Sequence, residues 1–342
     1  MNLVVIITGG NSGIGLSLAE RFAIWSQTLD NSCFFENAKV EKLTLVLACR
    51  NTKKANNAVK NLLNKYSNPR LIVETLSLDT SDLDSVVSAA KEIEKRFEYV
   101  NFLFCNAGAL YIKSLNWKSI LNGILTHPIE FLGSTEALNQ EVGLVSKQNL
   151  GLSFATNFFG HYALIRKITH LMKKAPLVRR IIWTGSHTSI YGFDKSDIQH
   201  IRGQTPYESS KYLTDQISVL LDTEILAKYK IRSIVTEPGN VSSNILSSLG
   251  NNVLNFLVYI SFLTIRLIFG VYRLTTTPWN GSYAAYSTVF VSDKDLDGTK
   301  KSFGLSSRLG HNYVTRQKIE FDETFARSLI QEFDSIIEKK TT

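Results

Sequence analysis

The chain has 342 residues, of which 44% are hydrophobic and 20% charged, so it can bury a full globular core. The formal net charge is +8, but lysine and arginine are scattered without a basic-aromatic motif, which argues against nucleic acid as a partner. A membrane surface or a cofactor phosphate accounts better for this charge. Cys33, Cys49 and Cys105 lack metal-ligand spacing, so we expect buried thiols in a reducing compartment and no bound metal.

The N-terminal residues predict a strand, a glycine turn and a helix. The run Leu3–Ile7 is apolar and β-branched, and it is too short for a cleavable signal peptide. Gly9, Gly13 and Gly15 follow, and apolar residues then recur at helical spacing. Such glycines let the backbone approach a pyrophosphate, whose charge is met by the helix N-terminus. A plain connecting turn is the alternative.

Strands and helices alternate through the rest of the chain. Further strand-like runs lie at 43–48, 71–76, 100–105, 180–183 and 231–236, and amphipathic helices include 53–65 and 83–97. This alternation predicts a single α/β domain over residues 1–342. Its core would be a Rossmann-like, doubly wound parallel sheet with ligands at the carboxyl ends of the strands.

Several segments exceed what such a scaffold needs. They are two insertions, residues 26–42 and 109–147, and a later apolar segment, residues 246–277. Residues 319–340 have apolar positions roughly in helical phase and predict an amphipathic C-terminal helix that packs on the domain.

The apolar segment contains the run Val253–Leu274, which as one helix would be about 30 Å long. An arginine near the middle of a membrane span is costly, so we expect this helix to lie on the membrane surface with its arginines toward the headgroups. A buried helix or a dimer face is the alternative. The polar positions fall on one narrow stripe: Asn252, Asn255, Tyr259, Arg266 and Arg273.

Tyr207 and Lys211 are the pair of residues with the most evident chemistry. They are four residues apart in a sequence that predicts a helix, so they share one face. A cation about 4 Å away, at an effective dielectric of about 20, favours the tyrosinate by up to roughly 4 kcal/mol. Lys211 would thus lower the pKa of Tyr207 toward neutrality, where general acid-base catalysis is most effective. An ordinary exposed pair is the alternative for this pattern taken alone.

Four motifs in sequence order resemble those of the short-chain dehydrogenase/reductase family. The resemblance spans the chain up to about Ser243. The motifs are Thr8-Gly-x-x-x-Gly-x-Gly15, Asn106-Ala107-Gly108, Ser186 and Tyr207-x-x-x-Lys211. Within the family, Arg50 and the segments 103–108, 157–162 and 207–211 are most similar to the 3-keto-sterol reductases.

The resemblance implies NADP(H) as the cofactor. Arg50 stands where family members that use NAD carry an acid, and its planar guanidinium suits a ribose 2′-phosphate; a solvated loop arginine is the alternative. Asp79 matches the position that contacts adenine, although it could instead cap the next helix, a role for which Asp82 competes. The implied cofactor-binding residues are Thr8, Gly9, Asn11, Ser12, Gly13, Ile14, Gly15, Arg50, Asp79, Asn106, Ala107, Gly108, Tyr207, Lys211, Pro238, Gly239, Val241 and Ser242, with Ser243 as the alternative to Ser242.

The resemblance also implies four catalytic residues for reduction of a ketone. Tyr207 would donate the proton, and Lys211 would lower the pKa of Tyr207 and bind the nicotinamide ribose. Ser186 would hydrogen-bond the carbonyl oxygen, and Asn157 would hold a proton-relay water.

Each of these polar residues has an alternative interpretation. Asn157 could mark a helix kink, and Ser186 could be a turn serine. The interval from Ser186 to the catalytic tyrosine is longer than the family's usual spacing, which leaves Ser189 as a competitor. His161 and His187 match no family catalytic position, and we expect them to be packing or rim residues.

The resemblance implies NADPH-dependent reduction of a 3-keto sterol to the 3β-hydroxy sterol during C-4 demethylation. The expected location is the cytosolic face of the endoplasmic reticulum membrane, with lipid droplets as a second site. The family places its substrate-binding loop at residues 246–277, where a lipophilic sterol would enter from the membrane surface. Other sterol-biosynthesis enzymes and a second copy of the chain are open as partners. A reductase for retinal or another long-chain carbonyl, or a nucleotide-binding scaffold for sterol enzymes, is the alternative function.

Overall fold

A computed structural model of the chain describes residues 1–29, 39–127, 131, 134–190, 193–241, 252–307 and 309–340. Cys33, Ser242 and Ser243 lie outside these residues, as do most of the 26–42 insertion and the start of the apolar segment. Strands β1 to β10 are Asn2–Thr8, Lys42–Cys49, Leu71–Ser77, Phe102–Cys105, Ile112–Leu115, Leu138–Gln140, Arg180–Thr184, Arg232–Glu237, Lys300–Ser306 and Asn312–Lys318. The longer helices, α1 to α8, are Gly13–Ser26, Thr52–Tyr66, Leu83–Arg96, Trp117–Thr126, Gly160–Lys174, Pro206–Leu220, Asn252–Phe269 and Glu323–Lys340.

Eight strands form one sheet in the order β10-β9-β8-β7-β4-β1-β2-β3. Neighbouring strands are parallel except for the antiparallel pair β9 and β10 at one edge. The strand order reverses between β1 and β4, which in doubly wound sheets opens a nucleotide-binding crevice at the carboxyl ends of the strands. The predicted Rossmann-like parallel sheet is confirmed, and the antiparallel edge is an addition that the sequence pattern did not predict.

Both faces of the sheet are covered because its strands are apolar on both sides. Ile6 and Val46 belong to one buried cluster, which includes residues of α3, α5, α6 and α8. Val5 and Leu45 belong to the other cluster, which includes residues of α1 and α2. The predicted C-terminal helix is present as α8, whose Phe333 packs into the first cluster.

The 109–147 insertion contains the small antiparallel pair of β5 and β6 together with α4. Helix α4 carries three large apolar side chains that are exposed, Trp117, Leu121 and Leu125. Strand β6 ends at Gln140, which is buried against α6. The insertion therefore has one end in contact with the main domain and one apolar helix face in solvent.

Two details of the predicted surface helix are wrong. Helix α7 ends at Phe269, because Gly270 adopts a left-handed φ of +68°, so Arg273 lies beyond the helix. Arg266 is only 5% exposed, and its Nη1 donates to the Leu274 carbonyl (3.4 Å) and the Thr276 hydroxyl (3.3 Å). The turn after α7 brings these oxygens back onto Arg266, which therefore does not point toward headgroups. None of the helices in the described part of the chain is both long and apolar enough to span a bilayer.

Candidate active site

The glycine turn follows β1 and has the geometry that a bound phosphate requires. Gly9 and Gly13 have φ of +67° and +55°, values that favour glycine. A Cβ atom on Gly15 would lie 2.5 Å from the Gly9 carbonyl oxygen and 2.6 Å from Asn106 Nδ2. At Gly13 an added Cβ would meet no described atom within 4 Å, so the outer face of the turn is open. A diphosphate can therefore approach this backbone beside the N-terminus of α1.

Thr8 joins the ends of β1 and β4. Its Oγ1 accepts hydrogen bonds from the backbone N–H groups of Asn106 (2.8 Å) and Ala107 (2.9 Å). Asn106 Nδ2 donates to the Thr8 carbonyl at 2.9 Å. His161 Nε2 lies 2.9 Å from Thr8 Oγ1 in the buried interior, so His161 packs beneath the turn as expected. Burial, with a smaller effect of the Lys211 charge, lowers the pKa of His161 to about 3, which leaves the ring neutral.

The structure brings the two predicted adenosine-side residues together. Arg50, after β2, is 76% exposed, and its Nη1 lies 3.7 Å from Asp79 Oδ2. The Asp79 carboxylate accepts two hydrogen bonds from Ser81. Asp82 is the residue that caps α3, by accepting from the Asp84 N–H. Asp79 and Arg50 therefore lie at the open edge of the crevice, where the ribose phosphate is expected.

Tyr207, Lys211 and Ser186 converge at the end of β7. Tyr207 is in the first turn of α6, and Lys211 Nζ lies 5.5 Å from the centroid of its ring. Lys211 Nζ donates to the Thr184 carbonyl at 2.7 Å. The Ser186 hydroxyl faces the Tyr207 phenol and lies 2.9 Å from Thr188 Oγ1. A carbonyl oxygen placed between Ser186 and Tyr207 would meet two hydroxyl groups.

The expected effect of Lys211 on Tyr207 is wrong for this structure. Burial raises the pKa of Tyr207 above its ordinary value, and the Glu208 charge raises it further, although the Ser186 hydrogen bond acts in the opposite direction. Burial lowers the pKa of Lys211 to about 8. The prediction treated the two residues as an isolated pair, whereas loss of solvent outweighs their attraction.

Ser186, and not Ser189, is the serine beside Tyr207. Ser189 Oγ donates to Asp215 Oδ2 at 2.5 Å, so its hydroxyl is turned toward a buried carboxylate. His187 Nδ1 lies 3.4 Å from Glu237 Oε1 at the rim of the site, as expected of a rim residue.

Asn157 lies at a helix irregularity, as its structural interpretation predicts. It lies in the π-helical stretch Ala155–Phe159, which precedes α5 and interrupts the regular helix. Its Oδ1 accepts from the Ala109 N–H (2.7 Å), and its Nδ2 donates to the Ala109 carbonyl (3.0 Å) and Ser210 Oγ (3.2 Å). Such π-bulges are frequent at functional sites. Asn157 ties the segment after β4 to the helix that carries Tyr207.

The Pro238-Gly239 turn follows β8. Gly239 has φ of +71°, and an added Cβ would lie 2.6 Å from the Arg273 carbonyl oxygen. Thr275 Oγ1 donates to the Pro238 carbonyl at 2.9 Å. Val241 forms an isolated bridge with Thr276. The residues after α7 therefore hold this turn in place, a support that the sequence motifs did not reveal.

Sequence reasoning also missed the contact between the 109–147 insertion and the helix that carries Tyr207. Glu208 is buried, and its carboxylate accepts from Thr135 Oγ1 and from Gln140 Nε2, the latter at 2.6 Å. Gln140 Oε1 accepts from the backbone N–H of Tyr207 at 3.0 Å. The available signal was a glutamate directly after the tyrosine in a helix that packs on the sheet, since a buried carboxylate needs partners.

A family model described as short chain dehydrogenase matches residues 36–253. The 3-keto-steroid reductase/17-beta-hydroxysteroid dehydrogenase 7 of Rattus norvegicus is 35% identical over 95% of this chain and 92% of its own length. The Homo sapiens protein of the same name is 32% identical over 97% of this chain and 92% of its own length. A crystal structure of an alcohol dehydrogenase from Thermococcus sibiricus, complexed with 5-hydroxy-NADP, has a TM-score of 0.54 at 15% identity and covers 90% of this chain and 98% of its own. The matched segment, the relatives and the shared fold agree with the observed site, and the chain belongs to the short-chain dehydrogenase/reductase family.

Proposed function

We propose that this protein reduces the 3-keto group of a sterol to a 3β-hydroxyl group with NADPH. The observation that carries the proposal is the convergence of Ser186 and Tyr207, with the buried Lys211 behind them, at the crevice end of the sheet. The relatives named 3-keto-steroid reductase, which align with more than nine-tenths of the chain, support the substrate class.

Each residue of the site has a separate role in carbonyl reduction. When bound, NADPH supplies the hydride for the carbonyl carbon. Ser186 donates a hydrogen bond to the carbonyl oxygen, and Tyr207 transfers its phenolic proton to that oxygen. The raised pKa of Tyr207 keeps the phenol protonated before the step, as a proton donor must be. Lys211, with a pKa of about 8, is cationic at neutral pH and stabilises the tyrosinate that remains.

Residues of this chain also fit NADP(H) as the cofactor. The open glycine turn has room for the diphosphate, since an added Cβ at Gly13 meets no described atom. The exposed guanidinium of Arg50 would pair with a ribose 2′-phosphate, and Asp79 would lie on the adenine side. Lys211 would donate to the nicotinamide ribose, and Asn157 would hold the proton-relay water.

We further propose that the enzyme works on the cytosolic face of the endoplasmic reticulum membrane, and also at lipid droplets. Three consecutive apolar residues at the end of α7 support this, since Leu267, Ile268 and Phe269 are 45%, 61% and 63% exposed. The net charge of +8 suits an anionic surface. A sterol dissolved in the membrane would enter beside α7. Other sterol-biosynthesis enzymes and a second copy of the chain remain predicted partners.

The test is NADPH oxidation by the purified protein with a panel of 3-keto sterols, retinal and 17-keto steroids. We expect the 3-keto sterols to be preferred. If retinal is preferred, the substrate is a long-chain carbonyl compound and not a sterol. If none of the carbonyl compounds is reduced, the result favours the nucleotide-binding scaffold as the function.

Tyr207→Phe is the variant that tests the mechanism. Turnover should fall by about 10²- to 10⁴-fold, because the proton donor is lost. Binding of NADPH, measured by fluorescence titration, should stay near the parent value. A parent-like turnover rate in this variant would contradict the mechanism.

A further inference from the structure

A buried ion pair lies behind the catalytic residues. Asp215 is on α6, one turn after Lys211, and Lys301 is on β9. Lys301 Nζ lies 2.7 Å from Asp215 Oδ2, and the two side chains are only 6% and 7% exposed. Because desolvating two charges offsets much of their attraction, a buried pair of this kind is weak evidence for stability alone. Its other contacts indicate what it does.

Lys301 holds the segment that carries the catalytic serine. Its Nζ donates to the Ser186 carbonyl at 2.7 Å and to Ser189 Oγ at 3.0 Å. Lys211 Nζ donates to the Thr184 carbonyl at 2.7 Å. Two buried ammonium groups therefore bind carbonyls on either side of Gly185, directly before the serine whose hydroxyl faces Tyr207.

We propose that Lys301 and Asp215 are positioning residues, which fix Ser186 against Tyr207 and set the electrostatic field at Lys211. The inference deepens the proposed function, because it rests on Ser186 acting on a carbonyl oxygen. Lys301 lies outside residues 36–253, the part of the chain that the short chain dehydrogenase model matches. Lys301 thus reaches the Ser186 segment from β9, a strand that follows the matched residues.

The ion pair also acts on the charge of Lys211. The Asp215 carboxylate favours the ammonium form of Lys211, whereas the Lys301 ammonium disfavours it. Removal of Lys301 should therefore raise the pKa of Lys211, and neutralisation of Asp215 should lower it. The titratable groups around Lys211 are Tyr207 and Asp215 on α6, Cys105 on β4, His161 on α5 and Lys301 on β9.

The test uses Lys301→Met, Asp215→Asn and the double variant that carries both changes. Each single change leaves one buried charge without its partner and should lower thermal stability, whereas the double variant should regain most of it. The double variant should nevertheless keep kcat about 10- to 100-fold below the parent value with a smaller change in KM, because Ser186 is no longer held. If the double variant is stable and has the same kcat as the parent, the pair has only a structural role and the proposal is overturned. Lys300→Met, an exposed neighbour on the same strand, is the matched control and should behave like the parent.

A second readout needs no substrate. The midpoint of the pH dependence of NADPH binding should shift to higher pH in Lys301→Met and to lower pH in Asp215→Asn. Shifts of the same sign, or no shifts, would contradict the electrostatic effect on Lys211 that is assigned to the pair.

Turnover is measured with whichever carbonyl compound of the panel the parent protein reduces. A parent that binds NADPH but reduces no 3-keto sterol would overturn the proposed function, while the binding profiles would still decide the role of the ion pair.

Discussion

Burial sets the protonation state of several residues around the site. His161 is neutral because its ring is enclosed beneath the glycine turn, and burial of the Lys211 ammonium group lowers the pKa of that residue to about 8. Tyr207 is held in the phenol form for the same reason. Residue spacing in a sequence does not report burial, so the identities of these residues were predictable but the direction of the tyrosine pKa shift was not.

His161 predicts an acid-dependent loss of stability. The pKa is about 3 when folded and near the ordinary 6.5 when unfolded, so the unfolded chain binds more protons between these values. Stability should therefore fall as the pH drops below 6.5, by up to about 1.4 kcal/mol per pH unit from this group. His161→Gln cannot titrate, and urea unfolding between pH 7 and 4 should show a shallower decline. His170→Gln, at an exposed position, should keep the parent slope; an unchanged slope in His161→Gln would contradict the assignment.

The position of Arg50 at the open edge of the crevice predicts that the protein binds NADPH more tightly than NADH. Arg50→Ala should weaken NADPH binding by about 10- to 100-fold, because a charge-assisted contact with the 2′-phosphate is lost, and should leave NADH binding almost unchanged. Titration with both cofactors checks this. Lys60→Ala removes one exposed cation from α2 and is the matched control. Equal losses for the two cofactors in Arg50→Ala would show that Arg50 does not recognise the phosphate.

The helices and strands that carry the site differ in how well the sequence predicts them. Strands β1 to β4, β7 and β8 were predictable because buried parallel strands are short, continuous apolar runs. Strands β5, β6 and β10 carry mostly partly buried or exposed residues, so they lack that signal. The π-helical stretch around Asn157 has no periodicity of its own. The positions of the motif residues at the ends of strands could therefore be predicted, while their supports from β6 and β9 could not.

The contact between β6 and α6 predicts that Gln140 matters to catalysis. Gln140→Ala should lower kcat by about 10-fold, because the amide that holds the Tyr207 backbone is removed, and should cost about 1–3 kcal/mol of stability, because Glu208 loses a partner. Steady-state kinetics and thermal unfolding measure the two effects. Asn139→Ala, next to it on β6 and exposed, should leave kcat unchanged. Parent kinetics in Gln140→Ala would show that the insertion does not position Tyr207.

At the scale of the whole molecule, the exposed apolar residues at the end of α7 predict membrane binding. Replacing Leu267, Ile268 and Phe269 with serine should strongly reduce sedimentation with anionic liposomes, because each buried Å² of apolar surface contributes about 25 cal/mol. Activity on a sterol should fall more than activity on a small soluble ketone. Ile72→Ser, an exposed apolar change on β3, is the control. Parent-like sedimentation of the triple variant would contradict surface binding through α7.

The contact of Lys301 with the Ser186 carbonyl joins residues 115 positions apart, and His161 reaches Thr8 across 153 positions. Contacts of such long range form late, because the intervening chain must be ordered first. During synthesis on the ribosome, the glycine turn, Ser186 and Tyr207 all leave the exit tunnel well before β9. A nascent chain can therefore begin to fold its nucleotide-binding strands before β9 supports the serine, so we expect full activity only when the last strands have joined the sheet.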